Sequence, residues 1–210
     1  MILKLNKINK SYDFKEVLKD VSFEIGQEEL VYLSGPNGSG KTTLLKLIAG
    51  ILNAESGTIY FDGYKLKKNS YNYKSKIIYW GHQPMVYKNL TMMENLDFFL
   101  QLRLQKIPED IDILLEQIGL KDYKHVPCYQ FSKGMFQKYS LLKFAISDWT
   151  LALIDEPLSG LDKKGRNFLI KLLKKYISNK TVIFTSHQNT DLNQIATTHL
   201  SIENKKLIKI

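Results

Sequence analysis

Apolar and polar residues alternate through Met1-Ile2-Leu3-Lys4-Leu5-Asn6-Lys7-Ile8, a period of two that predicts a half-buried strand over 2–8. Further strands are predicted over 17–25, 30–33, 57–61 and 76–80, with Asp62-Gly63 as a turn signal. The period then changes. Thr91-Met92-Met93-Glu94 has the spacing of a capping box, in which the Thr91 oxygen and the Glu94 carboxylate satisfy each other's orphan backbone donors. It opens a helix with Leu96, Phe99, Leu100 and Leu104 along one face. A second helix is predicted from Asp110, with Ile111, Leu114, Leu115 and Ile118, to a stop at Gly119. A third runs from Ser132 to about Ser147, with Leu141, Leu142, Ala145 and Ile146 on its buried side. The last third returns to alternation: strand 151–154, helix 163–177, strand 181–185, a short helix near 191–196 and a hairpin over 200–208. Apolar strands followed by helices predict an α/β fold around a parallel sheet, with working loops at the carboxyl ends of its strands.

The 210 residues suit one domain with a core that needs no disulfide. There are no repeats and no Pro/Ser linkers. At 44% hydrophobic and 24% charged the composition is that of a globular protein, and the longest apolar run, 141–154, is broken by Lys143 and Asp148. A membrane role would therefore come through a partner. The N-terminus lacks a signal-peptide core, which predicts action in the compartment of synthesis. Cys128 is the single cysteine and reads as a small packing residue. The net charge of +9 comes mostly from scattered lysines, with Arg103 and Arg166 the two arginines. That pattern favours a solvated lysine face over a nucleic-acid groove, so no direct nucleic-acid partner is expected; docking near anionic lipid stays open.

Between the strand Leu30-Val31-Tyr32-Leu33 and a helix from about Thr42 to Ala49 lies Gly35-Pro36-Asn37-Gly38-Ser39-Gly40-Lys41-Thr42, the pattern G-x-x-x-x-G-K-[ST]. Glycines let the backbone curl so that successive amides face phosphate oxygens, and the helix start adds its positive dipole end. A side chain at Gly38 or Gly40 is expected to block that approach. Lys41 is expected to face the β and γ phosphates of a nucleoside triphosphate, the Thr42 hydroxyl to ligate Mg²⁺, and Thr43 to complete the binding segment.

Leu151-Ala152-Leu153-Ile154-Asp155-Glu156-Pro157 is a strand buried on both faces that ends in two acids and a proline. Asp155, the first out of the core, is placed to hold Mg²⁺ through its water shell. Glu156, one residue on, is placed to orient or deprotonate an attacking water. His187 projects from the end of the apolar strand 181–185 and is a candidate γ-phosphate sensor. Gln83 ends the strand containing Ile77-Ile78-Tyr79-Trp80 and is a candidate ligand of Mg²⁺ or of the water. Phe131-Ser132-Lys133-Gly134-Met135 precedes a helix; Ser132 is a good N-cap and Gly134 permits close approach, a second anion-binding helix start.

The order of these motifs resembles the ATP-binding-cassette (ABC) ATPases over essentially the whole chain. Ser132-Lys133-Gly134 is similar to their signature loop, Ser159-Gly160-Leu161-Asp162 to their D-loop, and His187 to their switch histidine. The resemblance implies the P-loop NTPase fold of that family: a mostly parallel core sheet, an antiparallel β subdomain, and a helical subdomain inserted at about 84–147. It also implies Tyr12 as the platform for adenine, and a head-to-tail pair of cassettes in which each signature helix closes on the other's ATP. Lys133 and Met135 depart from the usual L-S-G-G-Q, which puts the glutamine's contact in doubt.

No coiled coil separates the phosphate loop from the acidic strand, and the chain carries one cassette and no membrane span, which leaves a stand-alone ATPase subunit driving separate integral membrane proteins. Residues 83–103 are its expected coupling surface. Within the family, Ile78-Tyr79-Trp80-Gly81-His82-Gln83-Pro84 followed by Leu90-Thr91-Met92-Met93-Glu94-Asn95-Leu96 resembles the haem-exporter ATPases of cytochrome c maturation. That likeness implies hydrolysis at the cytoplasmic face of an inner membrane, or the matrix face in an organelle. An ATPase for lipid, drug or polysaccharide export, a soluble nucleic-acid-associated cassette and a binding module with little turnover remain alternatives.

Overall fold

The computed structural model describes residues 1–66, 73, 75–82, 85–186 and 191–210. They form two compact units: 1–81 with 149–156 and 175–210, and 82–148 with 157–174.

The first unit holds two sheets. One has the order β2-β1-β4-β5, built from β1 (Leu3–Tyr12), β2 (Lys15–Ile25), β4 (Ser56–Phe61) and β5 (Tyr64–Lys65), with antiparallel pairing throughout. β1 runs four residues beyond the predicted end at Ile8. Its apolar alternation stops there, but the ladder continues through Lys10↔Leu18, Ser11↔Glu16 and Tyr12↔Lys15, with irregular register on the way. The hairpin turns at Asp13 and Phe14, both at positive φ (44° and 67°), as a two-residue turn matched to strand twist requires. Tyr12 is thereby carried to the hairpin tip.

The other sheet has the order β10-β9-β3-β8-β7-β6: β3 (Leu30–Ser34), β6 (Ile77–Trp80), β7 (Leu151–Asp155), β8 (Thr181–Thr185), β9 (Thr198–Glu203) and β10 (Lys206–Lys209). All pairs are parallel except β9 with β10. Every residue of β7 and β8 is buried, which accounts for the apolar runs 151–154 and 182–184 within them. Because β8 lies between β3 and β7, its last residue, Thr185, is in register with both Leu33 and Asp155. The exits of three strands therefore converge where the phosphate loop leaves β3. Helix α1 (Lys41–Ile48) follows that loop and buries Leu44, Leu45, Leu47 and Ile48 in the core shared with the antiparallel sheet.

The second unit is helical: α2 (Met92–Gln101), α3 (Ile111–Ile118), α4 (Lys133–Ile146) and most of α5 (Lys163–Tyr176), whose last two residues belong to the first unit. The capping box at α2 forms as predicted: Glu94 N donates to Thr91 Oγ1 at 3.2 Å, and Thr91 N donates to the Glu94 carboxylate at 2.7 Å. Leu104, expected on the buried face of α2, lies past its end at φ 56° and is 84% exposed. The buried side also holds a polar residue, Asn95. Its amide brackets Tyr87, accepting from its N–H at 2.7 Å and donating to its carbonyl at 2.9 Å, and so fixes the segment leading into α2. On α4, Phe144 is buried with Leu141 and Leu142, while Ala145 and Ile146 are only half-buried. Cys128 is fully buried as expected, and desolvation raises its thiol pKa. α6 (Asp191–Gln194) closes the described helices; no helix among the described residues is long and apolar enough to cross a membrane.

Candidate nucleotide site

The phosphate loop folds on itself as its composition dictates. Lys41 Nζ donates to the carbonyls of Gly35 at 2.7 Å and Pro36 at 3.0 Å, bracing the start of the loop against the start of α1. A methyl group built on Gly38 meets no protein atom within 4 Å, and Gly38 lines the cavity described below. One built on Gly40, at φ 107°, lies 2.9 Å from Val17 Cγ1, so Gly40 is required for packing on β2. Ser39 Oγ is buried with no hydrogen-bond partner among the described residues. An orphaned buried hydroxyl in this loop fits an anion.

A cavity of about 450 Å³ opens on this loop, lined by Asn37, Gly38, Gly40, Lys41, Thr42 and Thr43 together with Tyr12, Val17, Asp155 and Glu156. The candidates from three separate stretches of sequence thus share one concavity of ligand-binding size. Tyr12 stands at its edge, 43% exposed, with Lys10 Nζ 5.2 Å from its ring centroid. Gly35, Pro36, Asn37, Lys41 and Glu156 also line a second cavity of about 750 Å³, whose far wall is formed by residues of β9 and the C-terminal hairpin.

The acids at the end of β7 are held differently. Asp155, expected as the first residue out of the core, is instead 2% exposed, and it accepts from two hydroxyls, Thr42 Oγ1 at 2.7 Å and Thr185 Oγ1 at 2.7 Å. Thr42 and Asp155 offer hard oxygen donors side by side, a set that suits Mg²⁺. The Asp155 charge also reaches Tyr79, whose hydroxyl pKa is raised by burial first and by that charge second. Glu156 is half-buried and sits at φ 54°, unusual for a residue with a side chain, so its backbone is strained where the strand ends. Its N–H donates to Thr185 Oγ1 at 3.0 Å.

Thr185 is the residue the sequence reading missed: fully buried, it donates to Asp155 and accepts from Glu156. The signal was available in retrospect, as a polar residue closing the apolar run Val182-Ile183-Phe184. Thr185→Val keeps the shape and removes the hydroxyl, leaving a buried carboxylate short of one donor and an N–H without its acceptor. We expect a loss of about 2–4 kcal/mol in urea unfolding, with Thr185→Ser recovering most of it. A loss below about 0.5 kcal/mol would show that water replaces the hydroxyl.

Ser132 and Gly134 lie in the helical unit. Ser132 is the N-cap of α4, its Oγ accepting from Met135 N at 3.2 Å. A methyl built on Gly134 would stand 3.2 Å from the Gly160 carbonyl oxygen, so the glycine lets these two backbone segments pack closely. Gln83 and His187 lie outside the described residues.

A glycine-rich loop between a central parallel strand and a helix, with an acid pair at the exit of another strand of the same sheet, defines a P-loop nucleoside-triphosphatase. Comparison with known proteins narrows the class. The sequence model of the ABC transporter family matches residues 18–159. The cytochrome c biogenesis ATP-binding export protein CcmA of Vibrio cholerae serotype O1 is 33% identical over 190 residues, covering 90% of this chain and 92% of that protein. Among solved structures, an ATP-binding subunit of an ABC transporter superposes with a TM-score of 0.89 at 25% identity, over 100% of this chain and 90% of the other. A dimeric ATP-binding cassette in a post-hydrolysis state, bound to ADP and Pi, superposes with a TM-score of 0.85 at 23% identity, over 99% and 98%. The chain belongs to the ABC transporter family and is its ATP-hydrolysing subunit, with the mostly parallel core sheet, antiparallel β subdomain and helical insertion of that fold.

Proposed function

We propose that this chain hydrolyses MgATP in a site completed by a second copy of itself or a homologous cassette, and that the hydrolysis drives haem export for cytochrome c biogenesis. The chain is read as one cassette, residues 1–210, with about 84–147 as the helical insertion. The loop amides of Gly35–Thr43 and the Lys41 ammonium bind the phosphates, and Tyr12 stacks on adenine. Thr42 and Asp155 would hold Mg²⁺, which would neutralise charge on the phosphates. Glu156 takes the proton of, or orients, the attacking water, with Gln83 on Mg²⁺ or on that water and His187 at the γ-phosphate as the family resemblance implies. Ser132 and Gly134 of the second copy cap the same nucleotide at the start of α4, so ATP lies between two helix N-termini and hydrolysis loosens the pair.

The export assignment rests on the 33% identity, over nine-tenths of both chains, to a cytochrome c biogenesis export protein. Integral membrane subunits are the partners, and the chain works as a peripheral protein at the cytoplasmic face of the inner membrane, or the matrix face in an organelle. Deleting the gene in its own organism should abolish covalently assembled c-type cytochromes, and wild type but not Glu156→Gln should restore them. Normal c-type cytochromes in the deletion strain would overturn the haem assignment and leave another exported substrate to be sought.

A further inference from the structure

We propose that Lys138 and Asp162 form a positioning pair that makes the start of α4 and the turn before α5 a single body, so that Ser132 reaches the second copy's nucleotide in a fixed pose. The inference rests on the two-copy reading above and adds to it the part of the chain that holds the cap in place.

The two segments touch at backbone level. The Gly160 carbonyl sits where a side chain at Gly134 would be crowded, and Gly160 itself, at φ 81°, faces Gln137, whose Cγ would lie 3.3 Å from an added methyl. Neither glycine supplies a bond that resists sliding. Lys138, one turn into α4, supplies it: its Nζ lies 2.6 Å from Asp162 Oδ2. The other oxygen, Oδ1, accepts from Gly165 N at 2.8 Å, which makes the same carboxylate the cap of the first turn of α5. One side chain therefore grips two helices. The Lys138 side chain is 18% exposed, so its ammonium is largely withdrawn from water, and it passes over the end of α3, where a methyl built on Gly119 would lie 3.5 Å from Nζ. That helix end carries partial negative charge, which favours the ammonium there. Asp162 answers with a lowered pKa, caused first by the Lys138 hydrogen bond and then by the Gly165 amide.

Asn at 162 can still cap Gly165 N but loses the charge that Lys138 pairs with, so Asp162→Asn separates pairing from capping. The test uses the full chain carrying Glu156→Gln, whose ATP-dependent dimerisation is followed by analytical ultracentrifugation, beside binding of a fluorescent ATP analogue to protein kept monomeric by dilution. Lys138→Met and Asp162→Asn should each raise the ATP concentration for half-dimerisation about tenfold, and the double variant should be no worse than the worse single one. Analogue binding should stay within about twofold, and Lys138→Arg should recover most of the dimerisation. Unchanged dimerisation in both single variants, additive losses, or no rescue by Arg would each overturn the pair's role. If Glu156→Gln alone fails to dimerise with ATP, the two-copy reading itself falls, and with it this proposal. Thermal unfolding of each variant shows whether a loss reflects misfolding; Lys138→Arg, which keeps the charge, then decides the case.

Discussion

Glu156→Gln should slow steady-state ATP hydrolysis by about 10²–10⁴-fold, a rise of about 3–5 kcal/mol in the barrier, while nucleotide affinity stays within about twofold. The expectation follows from how differently the two neighbouring acids are held. Asp155 is almost fully buried and accepts from Thr42 and Thr185, so its charge is committed to fixed donors. Glu156 is half-buried and lines both cavities that flank the phosphate loop. Its strained backbone is fixed by the bond from its N–H to Thr185, which glutamine would keep. The substitution therefore changes what the side chain can do with a proton while keeping that backbone bond. The same protein should accumulate as an ATP-bound dimer, because closure precedes the step that is blocked. Phosphate release in single-turnover and steady-state assays checks the rate; hydrolysis within about fivefold of wild type would remove Glu156 from the chemistry.

The parts of this site that were legible in the sequence are those whose chemistry is contiguous. Eight adjacent residues specify the phosphate loop, because backbone amides are expected to do the binding and only glycine spacing, one lysine and one hydroxyl need be written down. Asp155 and Glu156 were legible because an acid pair ending a fully buried strand contradicts the burial of everything before it. Thr185 was not, because its meaning depends on β8 lying between β3 and β7, a fact of strand order that no local window carries. A second demand on Gly40 was not legible for a related reason: the atoms its missing side chain would meet belong to Val17, on a strand of the other sheet. Leu104 misled because helical spacing continues past Gln101, while the chain turns out of the helix at positive φ before it reaches that position. Hairpin β1–β2 outran its apolar alternation because backbone pairing needs no apolar side chains once the turn is set.

Lys41→Met should weaken ATP binding by about 100–1000-fold, equivalent to roughly 3–4 kcal/mol, the largest effect on affinity expected of any single substitution in the loop. Lys41 contributes in two ways that the substitution removes together. In the proposed site its ammonium is the point charge for the β and γ phosphates, and in the structure it braces the loop through the carbonyls of Gly35 and Pro36. The second contribution is the smaller: two bonds to carbonyls, partly exposed, amount to about 1–2 kcal/mol of folding stability. Comparing nucleotides separates them. Loss of the brace alone would weaken ATP and ADP equally, whereas loss of the phosphate contact should cost ATP more than ADP, since only ATP carries the γ-phosphate. Titration calorimetry with both nucleotides, with and without Mg²⁺, gives the two numbers. A decrease under about threefold for ATP would mean that the ammonium stays with its loop carbonyls when nucleotide binds, and that the amides and the helix start hold the phosphates unaided.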